Sequence, residues 1–436
     1  MEHHLKNLPF ILLFFALFCI SCHDIFDQEF TLQEKQDFSS VLSRETMTTE
    51  TINGARVTST CETIKPEPTS EEMYLICVPD NWNGELLLYA HGYVTAYNPD
   101  LTFEEAEELA PLATSLGFAF AATTFSANGL HIQQGIAEMI RLNDYFVANY
   151  GEPSYTYLTG GSQGGAITTL ALENNPDVFD GGFSLCGPCG NFELQLNKYG
   201  DFRMLFDYFF KDIVSLPGDI GSTPNELVQN WESYWVPKIL QAITNYPDRT
   251  QKLLSVSKAP IDPNDPATIG STVINTLWYN VFTVEDAKLK ISGTLFDNRN
   301  RWYSGTGSFW QDFLLNKKIS RTAIVANGIY PLSVYETTGY ISDPLVMMHT
   351  TLDPIQLIWN QTLYRLKVLL AGRSIYFAAY PIPRYGHCEF TDTEIVLGLY
   401  RLILKVKGQE LLLAKQLLDI NTPDKRLVVS VSREPI

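Results

Sequence analysis

The sequence predicts an α/β protein: a mostly parallel central sheet flanked by helices, carrying a large, mostly helical insertion. Three observations predict it. Short, continuously apolar runs alternate with longer stretches of helical periodicity, the pattern of a parallel sheet covered on both faces. One such run, residues 155–158, leads into Gly160-Gly161-Ser162-Gln163-Gly164 and then into the small and apolar residues 166–172, a strand, a sharp turn and a helix in sequence. The alternation stops near Gly190 and resumes near Leu345, with an aromatic-rich stretch between.

The elements follow in order. Residues 56–61 and 73–78 read as an antiparallel pair of strands, and 85–90 as a third that ends in His91-Gly92-Tyr93. A helix is expected over 103–116, closed by Gly117, followed by a strand over 118–122. Residues 132–147 show helical spacing, with Ile136, Met139, Ile140 and Tyr145 on one apolar face. After the turn at Ser162 comes a short buried strand over 182–185. The rhythm returns with a strand at 345–349, a helix at 355–370, a strand at 375–380 and a last helix at 394–406. The chain is therefore read as one α/β core, residues 51–190 and 321–436, interrupted by a helical insertion over 191–320. That insertion carries Phe202, Phe206, Trp231, Trp235, Trp278 and Trp310, and a proline-rich turn at 260–266 whose acids lack calcium-loop spacing.

Composition sets outer limits. The 436 residues, 45% hydrophobic and 18% charged, fit a globular chain. A formal net charge of −18 argues against nucleic acid as a partner, since phosphate neutralisation needs clustered Lys and Arg. Glu104, Glu105, Glu107 and Glu108 read as a solvated helix face.

Residues 1–22 have a signal-peptide layout: Lys6, then an apolar run that is too short to span a bilayer. Cys19-Ile20-Ser21-Cys22 resembles a bacterial lipoprotein box with Cys22 as the lipidated residue, although Cys19 stands where Leu is usual and simple secretion is the alternative. Either way the chain is expected to be exported, with membrane contact only through Cys22 and residues 23–50 as a tether. Export makes disulfides admissible for Cys61, Cys77, Cys186, Cys189 and Cys388. Cys61 and Cys77 lie in or beside the two paired strands and are expected to bridge. Cys186-Gly187-Pro188-Cys189 has neither the second pair nor the histidine of a zinc site, and a structural disulfide is the preferred reading over a redox one.

A serine hydroxyl becomes a nucleophile only with a base to take its proton and a third group to orient that base. Of the histidines, His387 lies in a loop directly after the last predicted strand, where open α/β sheets place their active sites, and is preferred to His349. Asp353 stands at the carboxyl end of the preceding strand and is preferred to Asp343 at its amino end. No phosphate-cradling glycine loop and no dinucleotide fingerprint is present, so no cofactor and no metal is expected.

In the order His91-Gly92-Tyr93, Gly160-Gly161-Ser162-Gln163-Gly164, His349 to Pro354 and Gly386-His387-Cys388, these motifs resemble the α/β-hydrolase superfamily over most of residues 56–405 outside the insertion. The resemblance implies an elbow turn with Gly160 and Gly164 flanking the nucleophile Ser162. It also implies an oxyanion hole from the backbone N–H groups of Gln163 and Tyr93. The His387-Cys388 pair is similar to that of tannases and feruloyl esterases, where a cysteine beside the serine bridges to the one after the histidine. Here Gly161 stands beside the serine, so Cys388 is expected to bridge to Cys186 or Cys189. The insertion resembles a lid. The leading expectation is a serine hydrolase of carboxylic esters, with a small-molecule ester or acyl substrate. An aminopeptidase-like hydrolase and an inactive surface binding protein are the alternatives.

Overall fold

The apolar runs of the sequence become the strands of a single large sheet. The protein is represented by a computed structural model that describes residues 41–50 and 56–409. The expected signal segment with Cys22 lies outside the described residues, and among those described no helix is long and apolar enough to cross a membrane. In chain order the strands are β1 (Val41–Glu50), β2 (Arg56–Ile64), β3 (Tyr74–Pro79), β4 (Glu85–Ala90), β5 (Ala119–Thr123), β6 (Tyr155–Gly161), β7 (Gly181–Leu185), β8 (Ile291–Asp297), β9 (Ala323–Asn327), β10 (Tyr330–Pro331), β11 (Leu345–Leu352) and β12 (Phe377–Tyr385). The large sheet runs β1-β2-β3-β5-β4-β6-β7-β11-β12. It is antiparallel from β1 to β5 and parallel from β5 to β12. From β2 onward this is the α/β-hydrolase strand order.

Burial explains why the central strands read as unbroken apolar runs. Every residue of β4, β5 and β7 is buried, so neither face needs polar side chains. The helices are α1 (Ala106–Ser115), α2 (Ile132–Tyr150) and α3 (Gln163–Asn174) in the first half of the core. The insertion supplies α4 (Phe192–Phe210), α5 (Asn225–Gln229), α6 (Val236–Asn245), α7 (Pro247–Ser257), α8 (Ala267–Lys290) and α9 (Phe309–Lys318). The core closes with α10 (Trp359–Leu370) and α11 (Asp392–Val406). Helices α2, α3 and α10 pack in one cluster, with Ile136, Met139, Leu142 and Phe146 as the buried stripe of α2. Helices α1 and α11 pack in the other, through Ala106, Ala110, Ala113, Leu399 and Leu402.

Two boundaries differ from expectation. Residues 41–50, read as part of a tether, form edge strand β1 against β2. The insertion is also longer than 191–320 and not purely helical, because β9 and β10 pair with β8 in a separate three-stranded sheet. Its own core contains Phe202, Phe206, Trp231, Leu277 and Phe282, whereas Trp302, Phe309 and Trp310 are exposed.

Cys61 and Cys77 are directly paired across β2 and β3, with Cα atoms 4.0 Å apart, and form a disulfide. Closing that loop of 16 residues is worth about 3 kcal/mol by chain entropy. A Cys61→Ser/Cys77→Ser double variant is expected to unfold at lower denaturant by that amount; an unchanged midpoint would contradict it.

Candidate active site

Strand β6 delivers Ser162 at its carboxyl end, between β4 and β7. The strand order reverses around β4, which is where open α/β sheets leave a crevice. Ser162 has φ 53° and ψ −118°, a conformation that an L side chain seldom adopts and that holds its hydroxyl out of the turn. The glycines around it are steric requirements. A Cβ on Gly164 would lie 1.9 Å from the Ala90 carbonyl oxygen, and one on Gly160 would lie 2.5 Å from the Gly164 backbone. These contacts let α3 start directly against the end of β4.

The structure brings Ser162, His387 and Asp353 into one hydrogen-bonded chain. His387 Nε2 lies 2.8 Å from Ser162 Oγ, and His387 Nδ1 lies 2.7 Å from Asp353 Oδ2. Asp353 is fully buried and its other oxygen accepts the backbone N–H groups of Ile355 (2.8 Å) and Gln356 (2.9 Å). His387 sits just beyond β12, on a loop turned by Gly386 at φ 110°. Arg384 braces that loop through the Glu389 carbonyl and the Glu394 carboxylate. Burial pushes the His387 imidazole down, but the Asp353 charge and hydrogen bond, with Glu105 and Glu389, outweigh it and leave His387 above its ordinary value. His349 is outside the chain: its Nε2 meets the Gln356 carbonyl at 2.5 Å, and burial lowers its basicity. Asp343 flanks the amino end of β11, away from the site.

Gln163 and the Gly92-Tyr93 segment, expected from sequence to supply backbone donors, lie beside the serine. Gln163 opens α3, so its N–H has no carbonyl one turn back within the helix and lies at the positive end of the helix dipole. The backbone leading to Tyr93 passes alongside, with a Cβ on Gly92 lying 3.5 Å from Ser162 Cβ. The Gln163 side chain faces the other way and ties the loop before α2, accepting from His131 N–H at 3.0 Å and donating to the Gly129 carbonyl at 3.2 Å.

Several residues at the site come from the insertion or its contacts and were not singled out from sequence. Tyr279 on α8 stacks on Tyr199 of α4 (centroids 5.2 Å apart), and its hydroxyl interacts with that of Ser162. Lys198 is buried and donates to the Pro354 carbonyl at 3.0 Å. Burial pushes its ammonium down to about 7, with Asp353 acting in the opposite direction. Gln195 and Tyr199 both bond the Ile355 carbonyl, at 2.8 and 3.3 Å. Helix α4 thus clamps the loop that carries Asp353. Glu105, read as part of a solvated face, also bonds the Tyr89 hydroxyl and raises His387. A small pocket, part of it open to solvent, reaches Ser162 and Gln163 between Tyr93, Phe192, Leu196, Tyr199 and Tyr279.

With this geometry in place, the chain can be set beside known proteins. A tannase-like family of unknown function (DUF6351) matches residues 46–299. The chain belongs to this family. Among solved structures, an esterase and feruloyl esterase B, both from Aspergillus oryzae, are each similar at 13% identity and a TM-score of 0.40, over 82% of this chain and 82% of theirs. Brefeldin A esterase, a bacterial homologue of human hormone sensitive lipase, is similar at 10% identity and a TM-score of 0.39, over 87% of this chain and 79% of that one. No curated protein matches.

In this tannase-like chain the cysteine after the histidine is bridged, but from a different strand. Cys388 pairs with Cys186, which follows β7, across a sequence separation of 202. A Cβ on Gly161 would lie 3.8 Å from Cys388 Sγ, so the bridge occupies the side where a cysteine beside the serine would also reach. The Cys186–Cys189 disulfide preferred from spacing does not form; Cys189 is a buried free thiol against Thr169 and Ser184. Cys186, His387 and Cys388 offer donor atoms within 4.8 Å of one another, but both sulfurs are committed to the disulfide and the imidazole to Asp353 and Ser162.

Proposed function

We propose that this protein is a serine hydrolase of carboxylic esters. The observation that carries the reading is the unbroken chain from Ser162 Oγ through the His387 ring to the buried Asp353 carboxylate. On this reading His387 takes the Ser162 proton as the oxygen attacks the acyl carbonyl. The N–H groups of Gln163 and Tyr93 then meet the developing oxyanion, a donor pair worth about 3 kcal/mol per bond. His387 next returns the proton to the leaving alcohol, and water releases the acid by the same route. Asp353 holds Nδ1–H and so keeps Nε2 free to accept.

Hydrolysis of short-chain nitrophenyl esters, set against amino-acid anilides and repeated with Ser162→Ala, tests it. Ester turnover that falls by at least about 10⁴-fold in the variant is expected. Turnover of anilides alone would favour the aminopeptidase-like alternative, and no Ser162-dependent turnover on either would favour a binding protein.

The pH dependence follows from the sign of the His387 shift. His387 must be neutral to accept the proton, and its raised basicity keeps it protonated to higher pH. The acid limb of kcat/KM is therefore expected above 6.5, with activity lost as pH falls through it. Glu389→Gln removes one of the charges that favour the imidazolium and should move that limb to lower pH; a limb that stays put or moves upward would contradict the assignment.

We also propose that the chain acts outside the cytoplasm. The two disulfides and the signal-like residues 1–22 support this reading, with Cys22 as the anchoring position.

A further inference from the structure

Helix α9 of the insertion is held in place from one side only. Ser308 caps it by accepting the Gln311 N–H at 3.2 Å, and Leu315 is its one buried residue. Asp312 Oδ1 accepts the N–H groups of Gly305 (3.1 Å) and Thr306 (2.9 Å), and Asn316 Oδ1 accepts that of Tyr303 (2.9 Å). These contacts fix the helix without its aromatic residues. Phe309, Trp310, Phe313 and Leu314 are 69%, 70%, 41% and 45% exposed. At about 100° per residue the four side chains cover roughly 140° of the helix circumference, and Lys317 falls within the same stripe. The ring of Trp310 lies 5.9 Å from that of Phe309 and 6.1 Å from that of Phe313, so the patch is continuous. Trp302, itself 55% exposed, precedes the Tyr303 that Asn316 holds against α9. A lone exposed apolar side chain needs no explanation, whereas a continuous group of large ones marks a contact surface.

Size and charge decide what the surface fits. A stable protein interface takes about 20–30 residues from each side, far more than this stripe offers. A bilayer needs no shape-matched partner, and Trp, Phe and Leu on one face of a helix are the side chains that settle at its headgroup boundary. The local charge opposes that of the whole chain. Residues 299–321 carry five basic side chains and one acidic one, in a protein of net charge −18. Arg299, Arg301 and Arg321 are engaged with Asp297, Asp201 and Asn316. Lys317 and Lys318 are exposed and form no ion pair among the described residues. An anionic surface repels an acidic chain in general and attracts it at this end of α9.

We infer that the outer face of α9 is a membrane-contact surface. Phe309, Trp310, Phe313 and Leu314 enter the headgroup boundary of an anionic bilayer, and Lys317 and Lys318 meet its phosphates. The inference is independent of the ester-hydrolase reading. It adds a contact made by the folded chain itself to the anchor expected at Cys22.

Vesicle flotation tests it with residues 23–436, so that neither the signal-like segment nor a lipid at Cys22 contributes. The protein is expected to partition onto vesicles of equal phosphatidylglycerol and phosphatidylcholine at least about tenfold more strongly than onto phosphatidylcholine alone, and to be released by salt. Trp310→Ser/Phe313→Ser should lower partitioning onto the mixed vesicles by at least about tenfold. Lys317→Gln/Lys318→Gln should remove the preference for the anionic lipid. All four positions are exposed, so thermal unfolding of both variants is expected to match wild type. If the aromatic pair unfolds early, the lysine pair decides the question alone. No flotation of the wild-type protein, or anionic binding that survives the substitutions, would overturn the inference. Sedimentation velocity covers the remaining occupant: a wild-type dimer that Trp310→Ser/Phe313→Ser makes monomeric, with no flotation, would assign the patch to a second copy of the chain and overturn the membrane reading.

Discussion

Replacing Asp353 by asparagine is expected to lower kcat by about 10⁴-fold with the fold retained. Asn Oδ1 can keep the Ile355 and Gln356 N–H groups that Asp353 Oδ1 now accepts, so the loop after β11 loses little. The change falls on the other atom. An amide nitrogen facing His387 Nδ1 is a donor, which forces that ring nitrogen to accept and moves the ring proton to Nε2. A protonated Nε2 cannot take the Ser162 proton across the 2.8 Å contact. Steady-state kinetics on an ester, with thermal unfolding alongside, check this. A kcat within about tenfold of wild type in a folded variant would mean that Asp353 does not set the tautomer.

Gly164→Ala is expected to produce the largest structural effect of a single methyl group. The added carbon would lie 1.9 Å from the Ala90 carbonyl oxygen, 2.7 Å from its carbon and 3.0 Å from the His91 oxygen. All three are backbone atoms, so no rotamer change relieves the overlap. Either α3 retreats from the end of β4 or the strand shifts, and both movements disturb the backbone around Ser162 on which Gln163 and Tyr93 sit. A destabilisation of at least about 3 kcal/mol is expected, at the upper end of overpacking costs. Esterase activity should fall even in the fraction that folds. A soluble variant with wild-type unfolding and wild-type kcat/KM would contradict the close packing of α3 on β4.

These two residues illustrate what could be read from sequence. Ser162, Asp353 and His387 each stand within a few residues of the end of an apolar run; those before Ser162 and Asp353 are buried along most of their length, the clearest signal a parallel sheet leaves, whereas the run before His387 is a half-buried edge strand. The residues that were not legible depend on contacts between distant segments. Tyr279 and Lys198 belong to helices whose periodicity says nothing about which loop they meet; only the docking of α4 and α8 on the Asp353 loop brings them to the site. Strand β1 was missed because an exposed edge strand needs little apolar patterning, and of residues 43–48 only Met47 is partly covered. The choice of Cys186 over Cys189 was equally hidden. Spacing gives no side-chain direction, and the left-handed backbone at Cys186 and Cys388, φ 43° and 55°, is a property of the folded loops alone.

The same contacts bear on the insertion. Gln195, Lys198 and Tyr199 hold the Asp353 loop, while the Tyr385 hydroxyl next to His387 lies 2.9 Å from Thr272 Oγ1 of α8. The insertion therefore supports the backbone on which two members of the hydrogen-bonded chain are mounted, besides walling the cavity.

Whether Ser162 is the nucleophile activated by His387 is decided by covalent labelling with a fluorophosphonate followed by peptide mass spectrometry. A single adduct per chain is expected on the peptide that contains Ser162, abolished in Ser162→Ala and strongly slowed in Asp353→Asn. An adduct on another residue, or no adduct on a protein that turns over esters, would contradict it.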